Sequence, residues 1–126
     1  MLASYLREPG ATRVSELLLD LQNDCWMSII NVGELYYKVA RQENINVAEE
    51  AQVWLNSVPI LFVDFDWPMT RQAASIKATY PLAYADCFAA ALAQQLDAAL
   101  VTGHREFEQL QRAGLIDVEW LPRARA

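Results

Sequence analysis

The chain has 126 residues, of which 54% are hydrophobic, so it is long enough to form one domain with its own core over residues 1–126. Its net charge of −6 argues against a broad basic surface that wraps nucleic acid, although carboxylates that hold a divalent cation still give an acidic protein access to phosphate. No apolar run approaches the roughly 18 to 20 residues of a membrane span, and no secretion signal opens the sequence, so we expect a cytoplasmic protein without membrane contact.

The first half of the chain predicts helices around one short buried strand. Apolar residues recur at spacings of three and four after Pro9 and Gly10, which is typical of a helix with one buried stripe. The predicted elements are a short helical piece over 1–7, a helix over 11–21, a strand over 25–28, a helix over 31–41 and a helix over 47–56 that Asn46 caps in a box-like pattern with Glu49.

The second half alternates helices with short, nearly all-apolar strands. The predicted elements are strands over 60–65, 98–102 and 116–121, a helix over 67–79, a helix over 80–93 with Pro81 near its start, and a helix over 105–112 that Gly114 ends. This alternation indicates an α/β sandwich with a mostly parallel sheet. Ligands of such sheets bind at the carboxyl ends of the strands, so this edge is where we expect a site.

Asp86 is the first candidate site residue. On a helix it shares a face with Leu82, Ala89, Ala90 and Ala93, so its carboxylate points toward the predicted core. An unpaired buried carboxylate costs several kcal/mol, so it needs a cation, several donors or a function. The alternative interpretation is that Asp86 caps the first turn of its helix.

Three further positions lie near the same predicted edge. Glu34 sits on a mixed helix face, where a solvated pair with Lys38 at four-residue spacing is an equal alternative to a functional role. The strand end Thr102-Gly103 projects its polar residues into the edge crevice, although an ordinary turn explains the glycine equally well. His104 is the only histidine, and a lone histidine is more often a surface or capping residue than a ligand.

Several classes of chemistry have no motif in this sequence. There is no glycine-rich dinucleotide or phosphate loop and no G-x-S-x-G elbow. Cys25 and Cys87 lack the spacing of zinc ligands, and we expect both to be reduced, buried thiols. Paired carboxylates are the chemistry that remains.

Three segments carry a likeness to a known family: Ile29-Ile30-Asn31-Val32-Gly33-Glu34-Leu35-Tyr36-Tyr37, Pro81-Leu82-Ala83-Tyr84-Ala85-Asp86-Cys87-Phe88-Ala89-Ala90-Ala91-Leu92-Ala93, and Leu100-Val101-Thr102-Gly103 with Glu106-Phe107. With these segments the chain resembles PIN-domain ribonucleases of the VapC toxin type over nearly all of its length. It implies a PIN-like α/β/α sandwich and an endoribonuclease that depends on Mg²⁺ or Mn²⁺. It also implies a homodimer that an antitoxin partner holds inactive.

The resemblance assigns roles to residues that the spacing already marked. Asp86 and Glu34 are the implied metal ligands, with Glu34 holding or orienting the metal and its water, and Thr102 is implied to hydrogen-bond within the site. Two positions depart from the family. A first, central strand with its aspartate is missing before Met1, and His104 stands where a fourth acid is expected.

These departures lead to further expectations. His104 is expected to act as a ligand only for a transition metal, with Glu106 as a substitute oxygen ligand. We also expect the natural start to lie upstream of Met1. The alternative functions are an impaired PIN module that binds an antitoxin or a second copy of itself, and an α/β domain without a site. Five aromatic residues are expected in the core rather than at an interface: Trp26, Tyr36, Tyr37, Trp54 and Trp67.

Overall fold

A computed structural model describes residues 11–20 and 22–122 of the chain. In chain order the elements are α1 (Ala11–Leu19), β1 (Cys25–Ser28), α2 (Ile29–Gln42), α3 (Ile45–Ser57), β2 (Ile60–Val63), α4 (Trp67–Thr79), α5 (Tyr84–Leu96), β3 (Leu100–Thr102), a 3₁₀ turn (Arg105–Phe107), α6 (Glu108–Arg112) and β4 (Val118–Trp120). The predicted α/β class and the order of elements are confirmed. The helical piece predicted over residues 1–7 lies outside the described residues.

Every strand pair in the described part of the chain is parallel, as predicted. β1 pairs with β2, with Cys25 opposite Ile60, and β3 pairs with β4, with Leu100 opposite Val118. The four strands form two separate two-stranded sheets instead of one continuous sheet, because no described strand joins the two pairs. The central strand that the resemblance places before Met1 stays a prediction. Within the described ranges, no helix has both the length and the apolar character to cross a membrane.

Helices α4 and α5 form the centre of the largest core cluster. α5 is rich in alanine, and its small side chains let the neighbouring helix and strands approach closely. Phe88 anchors this core, since its ring centroid lies 4.9 Å from those of both Phe65 and Tyr84. The cluster continues through Phe107 and Leu110, which hold the 3₁₀ turn and α6 against the end of the core. The turn that follows β3 is therefore anchored by its contact with this core cluster.

The start of α3 differs from the prediction. Asn44, not Asn46, is the N-cap, and its side-chain oxygen accepts a 2.9 Å bond from the Val47 backbone N–H. The predicted capping box is wrong for the same reason. Glu49 instead accepts a 2.7 Å bond from the Tyr36 hydroxyl, which ties α3 to α2. Asn44 and Asn46, on either side of Ile45, both fit the N-cap pattern, and Asn44 is the residue that caps the helix.

The start of α5 also differs, because the helix begins at Tyr84 and not at residue 80. Pro81 lies outside it, in a segment where Lys77 Nζ donates to the Leu82 carbonyl oxygen. Proline restricts the residue before it away from helical geometry, so Tyr80 ends α4 as its C-cap. Asp86 consequently lies at the third position of α5.

The aromatic residues are more exposed than predicted. Trp26, Tyr37 and Trp67 are 41%, 45% and 66% exposed, so the expectation that they lie in the core is wrong. Tyr36 and Trp54 are half-buried and pack against the cluster that α2 and α3 share. Both cysteines are free, as predicted, but only Cys87 is fully buried.

Candidate metal centre

Asp86 is a buried carboxylate on the first turn of α5. The residue is only 9% exposed, and its Oδ2 atom is buried without a hydrogen-bond partner. Burial raises the pKa of Asp86 above its ordinary value, and the negative charges of Glu34 and Glu106 raise it further. His104 and, more weakly, Lys38 lower it. The predicted burial of Asp86 is confirmed, and its carboxylate lies among charged groups from three parts of the chain.

The structure does not favour the capping interpretation of Asp86. The N-cap position of α5 belongs to Ala83, which provides no side-chain hydrogen bond. A capping carboxylate accepts bonds from the free N–H groups of the first turn, and those bonds would lower its pKa. Asp86 lies in the first turn, where the helix dipole favours an acid, but its buried Oδ2 atom accepts no bond from a first-turn N–H.

His104 lies between two carboxylates at the end of β3. Its Nδ1 atom is 3.0 Å from Asp86 Oδ2, and its Nε2 atom is 3.8 Å from Glu106 Oε1. The backbone N–H of His104 donates a 3.0 Å bond to Thr102 Oγ1, which fixes the turn over Gly103. The edge of the ring also meets Phe107, with centroids 5.9 Å apart. The imidazole position is therefore set by both the turn and the buried core.

These three side chains fit a divalent cation. One ligand atom each from Asp86, His104 and Glu106 lie within 4.8 Å of one another. Ligands at about 2.0 to 2.3 Å from a common metal lie up to about 4.5 Å apart, so small side-chain rotations complete the arrangement. The unpartnered Oδ2 of Asp86 supplies an oxygen that nothing else in the described structure satisfies.

Glu34 approaches this group from α2 without joining it. Its Oε2 atom lies 3.7 Å from Lys38 Nζ, the pair that the four-residue spacing offered as an alternative. Both charges act on the pKa of Asp86, so Glu34 and Lys38 lie within electrostatic reach of the site. Glu34 is the least exposed member of its ion pair, with a side chain that is 20% exposed.

Asn31 is a site residue that the sequence did not reveal. Its Nδ2 donates a 2.9 Å bond to the Ala85 carbonyl oxygen, which ties α2 to the turn of α5 that carries Asp86. Its Oδ1 atom is buried and, like Asp86 Oδ2, has no hydrogen-bond partner. In the sequence Asn31 stood only within the segment 29–37 that carries the family resemblance. Nothing in that segment indicated the bond to α5.

The family assignment follows from a comparison of sequence patterns. The sequence pattern of the PIN domain matches residues 1–113. The chain belongs to the PIN domain family. A comparison with individual curated protein sequences gave no match.

Two solved structures share the fold of this PIN domain. One chain in the structure of VapBC2 from Rickettsia felis, which is bound to a DNA fragment from the VapBC2 promoter, superposes on this chain with a TM-score of 0.71 at 20% sequence identity. That match covers 95% of this chain and 91% of the other. A chain of VapBC-1 from nontypeable Haemophilus influenzae gives a TM-score of 0.62 at 21% identity and covers 87% and 82%. The predicted resemblance to PIN domains of the VapC type is thus confirmed, and at these identities it is a likeness of fold.

The PIN domain brings together most of the predicted site residues. Asp86, His104 and Glu106 form the compact group, and Glu34 lies within its electrostatic reach. Thr102 contributes its hydroxyl to the turn as a hydrogen-bond acceptor, and its part in any reaction stays a prediction. Glu34 was predicted as a metal ligand together with Asp86, but the geometric group contains His104 and Glu106 in its place.

A separate cavity of about 220 Å³ lies between α2 and α3 and not at this site. Its lining includes Ile29, Gly33, Tyr36, Ala48 and Leu55, and none of its lining residues is charged. A cavity without charged groups is not suited to acid–base or metal chemistry. The Asp86 group therefore remains the chemically distinctive place in this PIN domain.

Proposed function

We propose that this PIN domain is a metal-dependent endoribonuclease and the toxin of a VapBC-like toxin-antitoxin pair. One observation carries the proposal. A PIN-family chain holds a buried carboxylate oxygen of Asp86 that lacks a hydrogen-bond partner, within 4.8 Å of ligand atoms from His104 and Glu106. A divalent cation, Mg²⁺ or Mn²⁺ by the family's chemistry, is the group that such an arrangement accepts.

A bound divalent cation would supply an activated water and would neutralise charge that builds on the scissile phosphate. The protein's own residues would hold and orient it. Asp86 would bind it from the buried side, Glu106 would bind it from the exposed turn, and Glu34 would orient its water from α2. Thr102 keeps the turn in place through its bond to the His104 backbone. The residues assigned to catalysis are thus Glu34, Asp86, Thr102, His104 and Glu106.

The charge distribution is consistent with RNA as the substrate of a cation-loaded site. With a net charge of −6, the chain repels phosphate until a metal is bound. Lys38, whose side chain is 48% exposed beside Glu34, is the cation best placed to contact a phosphate next to the cleaved bond. Cleavage therefore requires the metal both for binding RNA and for the reaction.

The proposed partners are an antitoxin and a second copy of the chain. Support for the antitoxin is that both matched structures are described as VapBC assemblies. Exposed apolar side chains on β1 and α2, among them Trp26, Ile29, Ile30 and Tyr37, offer a surface that a protein partner would cover. A protein of this kind acts in the cytoplasm, where its RNA substrates are.

The test is RNA cleavage by the purified chain with Mg²⁺ or Mn²⁺, with and without EDTA. Substitution of a residue that supports a metal ligand typically lowers metal affinity or activity about 10-fold to 100-fold. Loss of the direct ligand in Asp86→Asn should therefore lower the cleavage rate at least about 100-fold. Asp117→Asn is the matched control, because Asp117 is exposed and precedes β4 at the opposite edge. Cleavage that survives EDTA, or that Asp86→Asn leaves at the original rate, contradicts the proposal.

A second candidate is a PIN module that binds its antitoxin or itself without cutting RNA. Two observations favour it: Lys38 pairs with Glu34, and His104 stands where the family resemblance implies an acid. Size-exclusion chromatography with light scattering on the purified chain, alongside RNA cleavage assays with each divalent metal, separates the two. A stable complex without cleavage under any divalent metal supports this candidate.

A further inference from the structure

The side chain of His104 makes a close contact that a hydrogen bond does not explain. Its Nδ1 atom approaches Asp86 Oδ2 to 3.0 Å, the distance of an ion pair when the ring is protonated, yet that oxygen has no hydrogen-bond partner. A buried oxygen left in this state carries most of its desolvation cost. A simple imidazole–carboxylate bridge therefore leaves the site unsatisfied.

A shared cation accounts for the same contact. Two ligand atoms 3.0 Å apart are at the separation of neighbouring ligands on one metal, since each lies at about 2.0 to 2.2 Å from it. A Glu106 oxygen lies within 4.8 Å of the ligand atoms of the other two residues and supplies the third ligand. Coordination would satisfy Asp86 Oδ2 and would remove the repulsion between the two carboxylates.

We propose that His104 is a metal ligand, and that Asp86, His104 and Glu106 bind a first-row transition metal in preference to Mg²⁺. Imidazole nitrogen suits Mn²⁺, Co²⁺ and Zn²⁺ with rising affinity, whereas Mg²⁺ demands oxygen ligands and gives up water reluctantly. The inference rests on the metal-binding part of the proposed function and does not require RNA cleavage.

The ligands come from segments that are already fixed. Asp86 is on a helix whose first turn Asn31 holds from α2, and His104 is held by the Thr102 hydroxyl. Glu106 lies on the 3₁₀ turn next to the buried Phe107. Glu106, whose side chain is 51% exposed, is the ligand with the most freedom to lose on binding, so the entropy cost falls mainly on one side chain.

The single histidine makes a direct test possible. In the tag-free, ¹⁵N-labelled chain, all side-chain imidazole NMR signals belong to His104. Zn²⁺ should shift one ring nitrogen to the position of a metal-bound nitrogen, substoichiometric Mn²⁺ should broaden the ring signals, and millimolar Mg²⁺ should change neither. Ring signals that stay unchanged while calorimetry records Zn²⁺ or Mn²⁺ binding overturn the inference.

Matched variants give a second, independent measurement. His104→Gln keeps a polar side chain of similar size and should weaken Zn²⁺ and Mn²⁺ binding at least about 10-fold. His104→Asp provides an oxygen ligand and should narrow the preference for Zn²⁺ over Mg²⁺ by a similar factor. Cys25→Ser should leave zinc affinity unchanged, because the thiol is not part of the group. Equal zinc affinity in His104→Gln and the parent chain contradicts the inference.

The two proposals fail in different ways. Zn²⁺ or Mn²⁺ bound through His104, without RNA cleavage, supports this inference and counts against the nuclease. Mg²⁺-dependent cleavage by a chain whose His104 ring signals stay unchanged in Zn²⁺ and Mn²⁺ supports the nuclease and overturns this inference.

Discussion

Two carboxylates of this PIN domain lie beside a basic side chain, and they are held in opposite ways. Glu119 on β4 receives two bonds from Arg13 of α1, with Nη2 at 2.7 Å from Oε1 and Nε at 3.0 Å from Oε2. These hydrogen bonds lower the pKa of Glu119 below its ordinary value. Asp86 lies 3.0 Å from an imidazole nitrogen without forming such a bond, and burial raises its pKa.

The contrast separates a completed ion pair from an incomplete site. The planar guanidinium of Arg13 satisfies both oxygens of Glu119 at the surface, so no further ligand is required there. Burial removes the Asp86 carboxylate from water, and its Oδ2 atom has no hydrogen-bond partner to offset that cost. Arrangements that reduce stability in this way are concentrated at functional sites, which supports the assignment of the Asp86 group.

The largest expected effect comes from Asp86→Asn. We expect Mn²⁺ affinity to fall at least about 100-fold, because the buried ligand is lost. The metal-free protein should become more stable by about 1 kcal/mol, because a poorly compensated buried charge disappears. Calorimetric titration and urea unfolding with EDTA measure the two effects. A metal-free variant less stable than the parent would show that the Asp86 carboxylate is well satisfied, and the contrast with Glu119 would fail.

A smaller effect is expected from Lys38→Met. Removing this cation takes away a positive charge that opposes the metal and releases Glu34 from its 3.7 Å pair. We expect Mn²⁺ affinity to rise about 2-fold to 5-fold, the size of a partly screened charge interaction near the surface. Arg112→Met is the control, because Arg112 is 81% exposed and pairs with Glu108. An equal rise in both variants would assign the effect to net charge alone.

The smallest effect concerns the surface pair. Glu119→Gln should cost about 0.5 kcal/mol at pH 7, since exposed ion pairs contribute little. The folded-state pKa of Glu119 lies below its unfolded value of 4.5, so the pair's stabilisation is present above pH 4.5 and is lost as the pH falls through the folded pKa. Urea unfolding of both proteins at pH 7 and pH 3 should show a smaller difference at pH 3 than at pH 7. A difference that is equal at the two pH values would mean that Glu119 acts through packing.

The sequence predicted those features that depend on local pattern. The bounds of β1 and α4 agree with the prediction, because a short apolar run and a proline near a helix start are strong local signals. The burial of Asp86 followed from its helical spacing among alanines and Leu82. Local pattern also placed Gly114 at the end of α6, where its φ of 74° requires a residue that adopts left-handed geometry.

Features that depend on tertiary contacts were missed or misplaced. Proline is accepted both within the first turn of a helix and just before the helix, so the sequence around Pro81 does not decide where α5 starts. The packing of Tyr80 and Leu82 decides it. The contact between His104 and Asp86 joins the turn after β3 to α5. The spacing of residues along the chain does not predict the distance between these two side chains. The orphaned oxygen of Asn31 likewise depends on where α5 lies. The exposed Trp26 and Trp67 are surface positions that hydrophobicity alone assigns to the core.

The junction between β1 and α2 contains no loop. Ser28 is at once the last residue of the strand and the N-cap of the helix, with its hydroxyl accepting a 3.1 Å bond from the Ile30 backbone N–H. One residue inserted between Ser28 and Ile29 would turn the helix by about 100° around its axis, as each helical residue does. Glu34 and Asn31 would then leave the side that faces α5. The angular position of this whole helix face is thus determined by the residue count of a single strand.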